Sequence, residues 1–586
     1  MAEQTERWSS VKRFFKMLEL DKKDITYVYI YAIFSGLITL SVPLGIQAII
    51  GLIVGGSLST ALLVLITIVT IGTMLTGILK IMQITVTETL QRRIFARSAF
   101  EFAYRIPRFK LEKMLGDYPP ELVNRFFDTL TLQKGVPKLL MDFSTAGLQI
   151  IFGLLLISFY HPFFVFFGVI LLLILVLILR ITGPGGLKTS LNESKYKYKV
   201  VYWLEEMARA LTTFKMAGRD NFYLRQTDEL VSAYLDNRKK HFRILLIQYG
   251  NIVGFKTIIT LALLLLGSTL VIQNRINIGQ FVAAEIVVLL IMSSVEKLIL
   301  SMETIYDVLT AVEKIGGVVD LPLDREEGLE YQAIRSDEGI SIKAEKVSYQ
   351  YSDAEKPNLR EIDLDIPAGS SLCLSGYNGS GKATLTQLLT GMYNQFKGQI
   401  NFNEIPLMNM NLNSFRRNIG TYSELSDIFR GTVIDNICLG HEGLDVHDIL
   451  KAADEVGLKK FIQRLPEGLQ TMLLPGGRNI PRGIRTKILI ARAIVHKPKL
   501  LVLEEFFSKL EVVDQLKIAR FITDKKWGWT LVLISNNPNI AAFCDQVAIL
   551  KDGLIVEKGT FQDILQSDHY QGVFMSGQFN SNINPK

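Results

Sequence analysis

Cysteine is scarce in this sequence, three in 586 residues. Cys373, Cys438 and Cys544 all fall in the second half, and none has the spacing of a disulfide framework or a paired metal site. That excludes a disulfide-stapled secreted scaffold and reads as reduced thiols of a cytosolic compartment. Histidine is equally sparse, six and scattered, so no histidine-based metal constellation is present. A signal peptide is lacking too, because the first apolar run is too long for one and no cleavage pattern follows it. In six places the chain is also poor in charge and runs apolar.

Those six stretches lie near 26–50, 60–85, 138–160, 162–182, 248–273 and 278–301, each long enough for the roughly 30 Å hydrocarbon core of a bilayer. They account for a residue composition that is 49% apolar. The length exceeds what one hydrophobic core organises, so at least two domains are expected. The connections at 55–60, His161-Pro162 and 273–277 are short and carry only Arg275. Those at 86–137 and 183–242 are long and rich in arginine and lysine, including Arg92, Arg93, Arg97, Lys195, Lys199, Arg238 and Lys239. By the positive-inside rule both termini and both long loops are cytosolic, and the net charge of +7 belongs beside an anionic membrane, with no nucleic acid implied.

Apolar residues in the long loops recur at helical spacing with little glycine or proline, which predicts helices running well beyond the bilayer with elbows near 121–126 and 218–222. Before the first span, Trp8, Val11, Phe15 and Leu18 share one helical face, as in an interfacial amphipathic helix or a core helix. Glu285 falls inside the sixth apolar run, either as a functional group or as a carboxylate solvated in a cavity.

The second half is α/β in pattern. Residues 340–351 and 361–366 alternate as strands, 500–503 and 531–534 are short apolar runs of a buried parallel sheet, and 546–558 reads as a hairpin turning at Asp552-Gly553. Beyond Gly577 the tail is polar. Between the apolar run 371–375 and a helical pattern from Thr384 stands Gly376-Tyr377-Asn378-Gly379-Ser380-Gly381-Lys382-Ala383-Thr384. Strand, glycine loop, lysine and helix form a phosphate cradle of backbone N–H groups, with the helix N-terminus adding partial positive charge and Lys382 reaching the outer phosphates. Ala383 occupies the position where a hydroxyl normally ligates Mg²⁺.

Six spans with long loops followed by this motif resemble a half-transporter of the ABC exporter family: an all-α six-span membrane bundle followed by a cytosolic α/β P-loop ATPase domain. The stretches 121–126 and 296–323 look most like its type I secretion branch, here without the cysteine-peptidase domain expected ahead of the first span. The resemblance implies an interfacial segment at 1–25, a membrane domain at 26–302, a linker at 303–338 and a nucleotide-binding domain at 339–586. It implies ATP and Mg²⁺ as ligands. Tyr351 matches the adenine-stacking aromatic, and Gly376, Asn378, Gly379, Ser380, Gly381, Lys382, Ala383 and Thr384 belong to the phosphate loop. Glu505 matches the general base, and Glu504 stands at the metal-binding Walker B aspartate. Glu424 replaces the family's glutamine as a tentative cation ligand, and Asn536 replaces the switch histidine. The signature loop reads Ile480, Pro481, Arg482, Gly483, Ile484. Its proline lacks the N–H and hydroxyl of the family's serine, and its arginine is bulky where glycine allows close approach.

These departures imply an ATP-binding subunit with weak or lost hydrolysis, in a bacterial inner membrane. A homodimer is the first expectation, a heterodimer with another half-transporter the second, with a periplasmic adaptor as a further partner. The alternatives are a catalytically inactive scaffold or gated conduit, and the degenerate partner of an intact half-transporter.

Overall fold

Apolar runs that must satisfy their own backbone in lipid, continued by periodic charged stretches, give helices far longer than a bilayer requires. The computed structural model describes residues 2–54, 60–114, 118–159, 162–218, 221–331, 339–441 and 443–574. The expected connections at 55–59 and at His161, Arg219-Asp220 of the second elbow and the tail beyond Gly577 lie outside the described residues, as does the Trp8 side chain. The chain divides into two compact units, one of 1–108 and 117–321, the other of 109–116 and 322–586.

The first unit contains α1 (Ala2–Glu19), α2 (Lys22–Val54), α3 (Thr60–Arg105), α4 (Pro119–Asn124), α5 (Asp128–Ser158), α6 (Pro162–Arg209), α7 (Leu211–Met216), α8 (Phe222–Ile272) and α9 (Ile278–Val319). Six of its helical segments are long and apolar enough to cross a membrane. With 51 residues, α8 runs for about 75 Å at 1.5 Å per residue. The first elbow is α4 followed by a 3-10 turn at Arg125–Phe127. The start of α9 is set by a reciprocal cap: Asn277 accepts from the Gln280 N–H at 2.7 Å, and Gln280 accepts from the Asn277 N–H at 2.9 Å.

Apolar faces of α2, α5, α6, α8 and α9 meet in one core around Ile150, Ile252, Val287 and Ile291. A second forms around Val28, Leu90, Val136 and Val308. Several charges within the unit are paired. The buried Asp21 carboxylate accepts from Arg93 at 3.1 Å and Arg97 at 3.0 Å, and Asp142 pairs with Lys297 at 2.8 Å. Glu285 is half-buried on α9 and has no ion pair among the described residues.

Two features depart from the boundaries expected above. The sixth helix continues to Val319, so residues 303–319 of the expected linker are helical, their buried positions Tyr306, Val308, Ala311, Val312 and Val318 keeping a core-facing stripe. The segment 109–116, expected within a continuous helical loop of the membrane domain, belongs to the second unit. There the Lys110 N–H donates to the Pro322 carbonyl at 3.0 Å, and the Glu112 carboxylate accepts from the N–H groups of Asn394 at 2.7 Å and Gln395 at 2.9 Å.

Among its described residues the second unit has twelve strands: β1 (Ile342–Tyr349), β2 (Leu359–Ile366), β3 (Ser371–Gly376), β4 (Lys397–Phe402), β5 (Ile405–Pro406), β6 (Ile419–Tyr422), β7 (Gly431–Thr432), β8 (Met472–Leu473), β9 (Leu500–Glu504), β10 (Thr530–Ile534), β11 (Gln546–Lys551) and β12 (Leu554–Gly559). A six-stranded sheet runs β12-β11-β3-β10-β9-β6, parallel throughout except for the β11–β12 hairpin. A four-stranded antiparallel sheet runs β2-β1-β4-β5, and β7 pairs with β8.

Strand periodicity divides the main sheet's side chains between two cores. Cys373, Leu501, Leu503, Leu531, Leu533, Val547 and Ile549 enter the core containing Ile488 and Ile490 of the helix Arg482–Ile494. Leu372, Leu374, Leu500, Val502, Val532, Ile534 and Ala548 enter the core shared with the antiparallel sheet. Burial on both faces explains why these strands read as continuous apolar runs.

Close approach at Gly186 makes a testable point. A Cβ there would stand 2.2 Å from Cζ of Tyr306, whose hydroxyl accepts from Gln248 at 2.7 Å. We expect Gly186→Ala to destabilise the first unit by about 1–3 kcal/mol, the cost of an overpacked core. Gly183→Ala, with nothing within 4 Å, should be neutral. Thermal unfolding in lipid compares the two, and equal midpoints would contradict the packing described.

Candidate nucleotide site

Strand β3 delivers the chain to Gly376, and the helix α10 (Lys382–Leu389) begins six residues later. Gly376 has φ 150°, and a Cβ there would stand 2.2 Å from the Leu550 carbonyl oxygen, so only glycine lets β3 end against β11 this closely. Gly381, at φ 101°, turns the chain into the helix. The Lys382 ammonium folds back over the loop and donates to the carbonyls of Gly376 at 2.8 Å and Tyr377 at 3.0 Å. Burial pushes its pKa down, and nearby Glu505 opposes that shift.

A cavity of about 480 Å³ opens over this loop. Of the residues expected to act on nucleotide, it gathers Tyr351, Asn378 to Thr384, Glu424, Glu504 and Glu505. Gly376 lies beneath it as the end of β3, and Asn536 lines an adjoining cavity with Asn378 and Glu505. The signature residues Ile480 to Ile484 line neither. Pro481 is the N-cap of Arg482–Ile494 and provides no side-chain cap, while Arg482 is exposed at the first helical position.

The polar groups at the reacting end are fastened to the protein. The Asn536 side-chain amide accepts from the Gly376 N–H at 3.0 Å and donates to the Gly376 carbonyl at 2.9 Å, pairing with that backbone as another peptide would. A histidine ring cannot offer a donor and an acceptor side by side in this way. The Tyr351 hydroxyl shares a hydrogen bond with the Thr384 hydroxyl at 3.0 Å, and its ring stands edge-on to Tyr349 and Tyr393. Glu505 follows β9 at φ 35°, its N–H donating to the Ile534 carbonyl at 3.1 Å.

Glu504 ends β9 buried, and the Thr386 hydroxyl donates to its carboxylate. Burial pushes this carboxyl's pKa up. Thr386 and the Glu424 N–H oppose that, while the charges of Glu424 and Glu505 add to it. Sequence reasoning missed Thr386. Its signal was a hydroxyl four residues after Lys382, on the same helical face one turn on. Tyr393 was missed as well; it lines the cavity and its ring stacks on Tyr349 at 5.4 Å.

Of the two positions expected to ligate a divalent cation, Ala383 has no side-chain oxygen, while the Glu504 carboxylate lines the cavity with one oxygen accepting from the Thr386 hydroxyl. The exposed Glu424 lines the same cavity.

The P-loop cradle on a parallel sheet, with six long apolar helices preceding it, defines the class as a membrane exporter with an ATP-binding domain. Residues 25–295 match the ABC transporter transmembrane region, and residues 359–508 match the ABC transporter family. The chain therefore belongs to the ABC transporter family, with the architecture of an exporter half. It is 26% identical to the cyclolysin secretion/processing ATP-binding protein CyaB of Bordetella pertussis over 62% of this chain and 51% of that one. It is 29% identical to the ATP-dependent lipid A-core flippase of Nitrosococcus oceani over 51% of this chain and 50% of that one. The chain spans about half the length of the curated relatives it matches. The solved structure of a bacterial Atm1-family ABC exporter with ATP bound shares the fold, with a TM-score of 0.85 and 17% identity over 96% of this chain and 99% of that one.

Two substitutions test the site. Lys382→Ala should weaken ATP binding at least about ten-fold, since a hydrogen bond to a charged group contributes roughly 1.5–3 kcal/mol; equal affinity would refute the phosphate-loop assignment. Thr386→Val removes one of the buried Glu504 carboxylate's hydrogen bonds and should lower stability by about 1–3 kcal/mol. Unchanged denaturant unfolding of Thr386→Val would show that this bond holds nothing.

Proposed function

We propose that this chain is one half of a dimeric ABC exporter of the inner membrane that binds ATP and hydrolyses it slowly or not at all. The observation that carries the reading is the fastening of Asn536 to Gly376 and of Glu504 to Thr386, beside an Ala383 that offers no oxygen. Hydrolysis needs an oriented water, a general base and stabilised charge on the γ-phosphate. Glu505 supplies the base, and its backbone is held by Ile534. The positions that orient water and stabilise charge hold Glu424, Asn536, Pro481 and Arg482, each unlike the family's residue.

A lone phosphate loop covers only part of a nucleotide. In the family arrangement each ATP lies between one subunit's loop and the other's signature, so we propose a two-fold dimer, a homodimer first and a heterodimer second. Similarity to CyaB, named for secretion and processing, supports a type I secretion-like role; a periplasmic adaptor is a further proposed partner. The fastened groups also favour a second reading, an inactive scaffold or gated conduit or the degenerate partner of an intact half-transporter.

An ordinary enzyme turns over about 10 times per second, and losing one transition-state donor typically costs about 10²–10³ in rate. The purified chain in lipid should therefore show ATP turnover near background. Ala383→Ser alone should change it little. Restoring serine at 383, glutamine at 424, histidine at 536 and the consensus signature together should raise it clearly. Wild-type turnover of about 1 per second or faster, abolished by Glu505→Gln, would refute the attenuated reading.

Topology has its own test. A cysteine replacing the exposed Arg275 should react with impermeant reagent from outside intact cells, and one replacing the exposed Met216 should not. Labelling of Met216→Cys in intact cells would overturn the cytosolic placement of the long loops.

A further inference from the structure

A second cavity, of about 470 Å³, lies within the first unit between α4, α6, α8 and α9. Four cations, Arg125, Lys195, Lys199 and Lys314, face one carboxylate, Glu121. That carboxylate is already shared with Arg125 at 3.3 Å. The neighbouring Asp128 accepts from the Tyr198 hydroxyl at 2.6 Å and lies 3.6 Å from Lys197. Lys195, Lys199 and Lys314 therefore have no ion pair among the described residues. The Arg125 Nε is buried without a hydrogen-bond partner. Burial and the Arg125 charge push the Lys314 pKa down, as expected where positive charge is under-compensated.

The walls between these charges are aromatic: Tyr198, Tyr202 and Trp203. Trp203 is fixed by its indole N–H, which donates to Thr227 at 3.0 Å, and by edge-on packing with Phe214 and Phe222. Three of the cations thus have no ion pair among the described residues: Lys199 lies 4.9 Å from the Tyr196 ring and Lys314 5.7 Å from the Tyr198 ring, and only the charges of Glu121 and Asp128 oppose the positive charge at Lys314. Simple inorganic anions leave such walls unused, whereas a flat ring bearing anionic groups engages both walls and charges. The volume is in the range of small-molecule sites.

We propose that this cavity binds a soluble aromatic polyanion, a nucleotide or phosphorylated ring compound, at a site separate from the phosphate loop. Position excludes a lipid headgroup. Lys314 stands about 20 Å along α9 beyond the sixth apolar run, and Lys195 about 20 Å along α6 beyond the fourth, at 1.5 Å per residue. The headgroup layer extends only about 5–8 Å past the hydrocarbon. The inference is independent of whether ATP is hydrolysed.

The test uses the full chain carrying Lys382→Ala, to weaken the phosphate loop, in phosphatidylcholine vesicles. Pyridoxal 5′-phosphate, a planar ring with a phosphate, forms an imine with a lysine amine, and borohydride traps it for mapping by mass spectrometry. Labelling of Lys195, Lys199 or Lys314 should saturate and exceed that of the exposed Lys239 and Lys240 by about ten-fold, the scale of one good contact. Pyridoxal without phosphate should lose that preference, which separates anion binding from mere amine reactivity. Arg125→Gln and Trp203→Leu should each reduce the preference several-fold. If Trp203→Leu does not fold, Tyr202→Ser at the exposed Tyr202 replaces it. Soluble ATP should protect, and added phosphatidylglycerol should not. Labelling that is unsaturable and equal among exposed lysines, equal labelling by pyridoxal, or protection by the anionic lipid alone would each overturn the proposal.

Discussion

One residue organises the nucleotide site. At Gly376 the parallel strand β3 ends, and only a residue without a side chain can lie against the Leu550 carbonyl. Asn536 bonds both the N–H and the carbonyl of that residue, and the Lys382 ammonium bonds the same carbonyl. The end of the strand, the start of α10 and the loop after β10 are thereby tied at one point. Behind them the sheet is buried on both faces, so the tie rests on a rigid base. A phosphate arriving at the loop must draw Lys382 away from its own carbonyls, while Asn536 keeps the backbone in place.

The substitutions that look like separate losses in sequence form linked pairs in space. Lengthening the Walker B carboxylate by one methylene and removing the hydroxyl at 383 would leave a buried charge short of partners. Thr386, one turn further along α10, supplies the hydroxyl that Ala383 lacks, but directs it to protein instead of to a cation. Asn536 likewise exchanges a group that titrates for one that does not and uses both its polar atoms on backbone. The site keeps its stability and its cradle while its reactive groups are satisfied internally.

Much of the fold was legible because its signals are long or repeated. Six long apolar runs, strands apolar at every position and a glycine loop between strand and helix each depend on local pattern, and each stands where that pattern put it. The misses are tertiary. Nothing local in residues 109–116 announces that Glu112 caps the N–H groups of Asn394 and Gln395, because the partners lie far along the chain. The sixth helix outran its expected end because residues 303–319 mix charge with a narrow core-facing stripe, which resembles a connector in composition. In the site, the phosphate loop was read from its spacing and the acidic residues from the resemblance to the family pattern. Thr386 and Tyr393 were not, since their roles exist only once α10 packs beside β9 and the aromatic cluster closes.

The central proposal is that this site holds ATP by its backbone cradle and Lys382 and depends little on a metal, since Ala383 offers no ligand. The most direct measurement is ATP affinity of the lipid-embedded chain with Mg²⁺ and with a chelator in its place. The account predicts dissociation constants within about three-fold of each other, a difference well under 1 kcal/mol. Tightening by Mg²⁺ of about 100-fold or more would show a working metal site and contradict it.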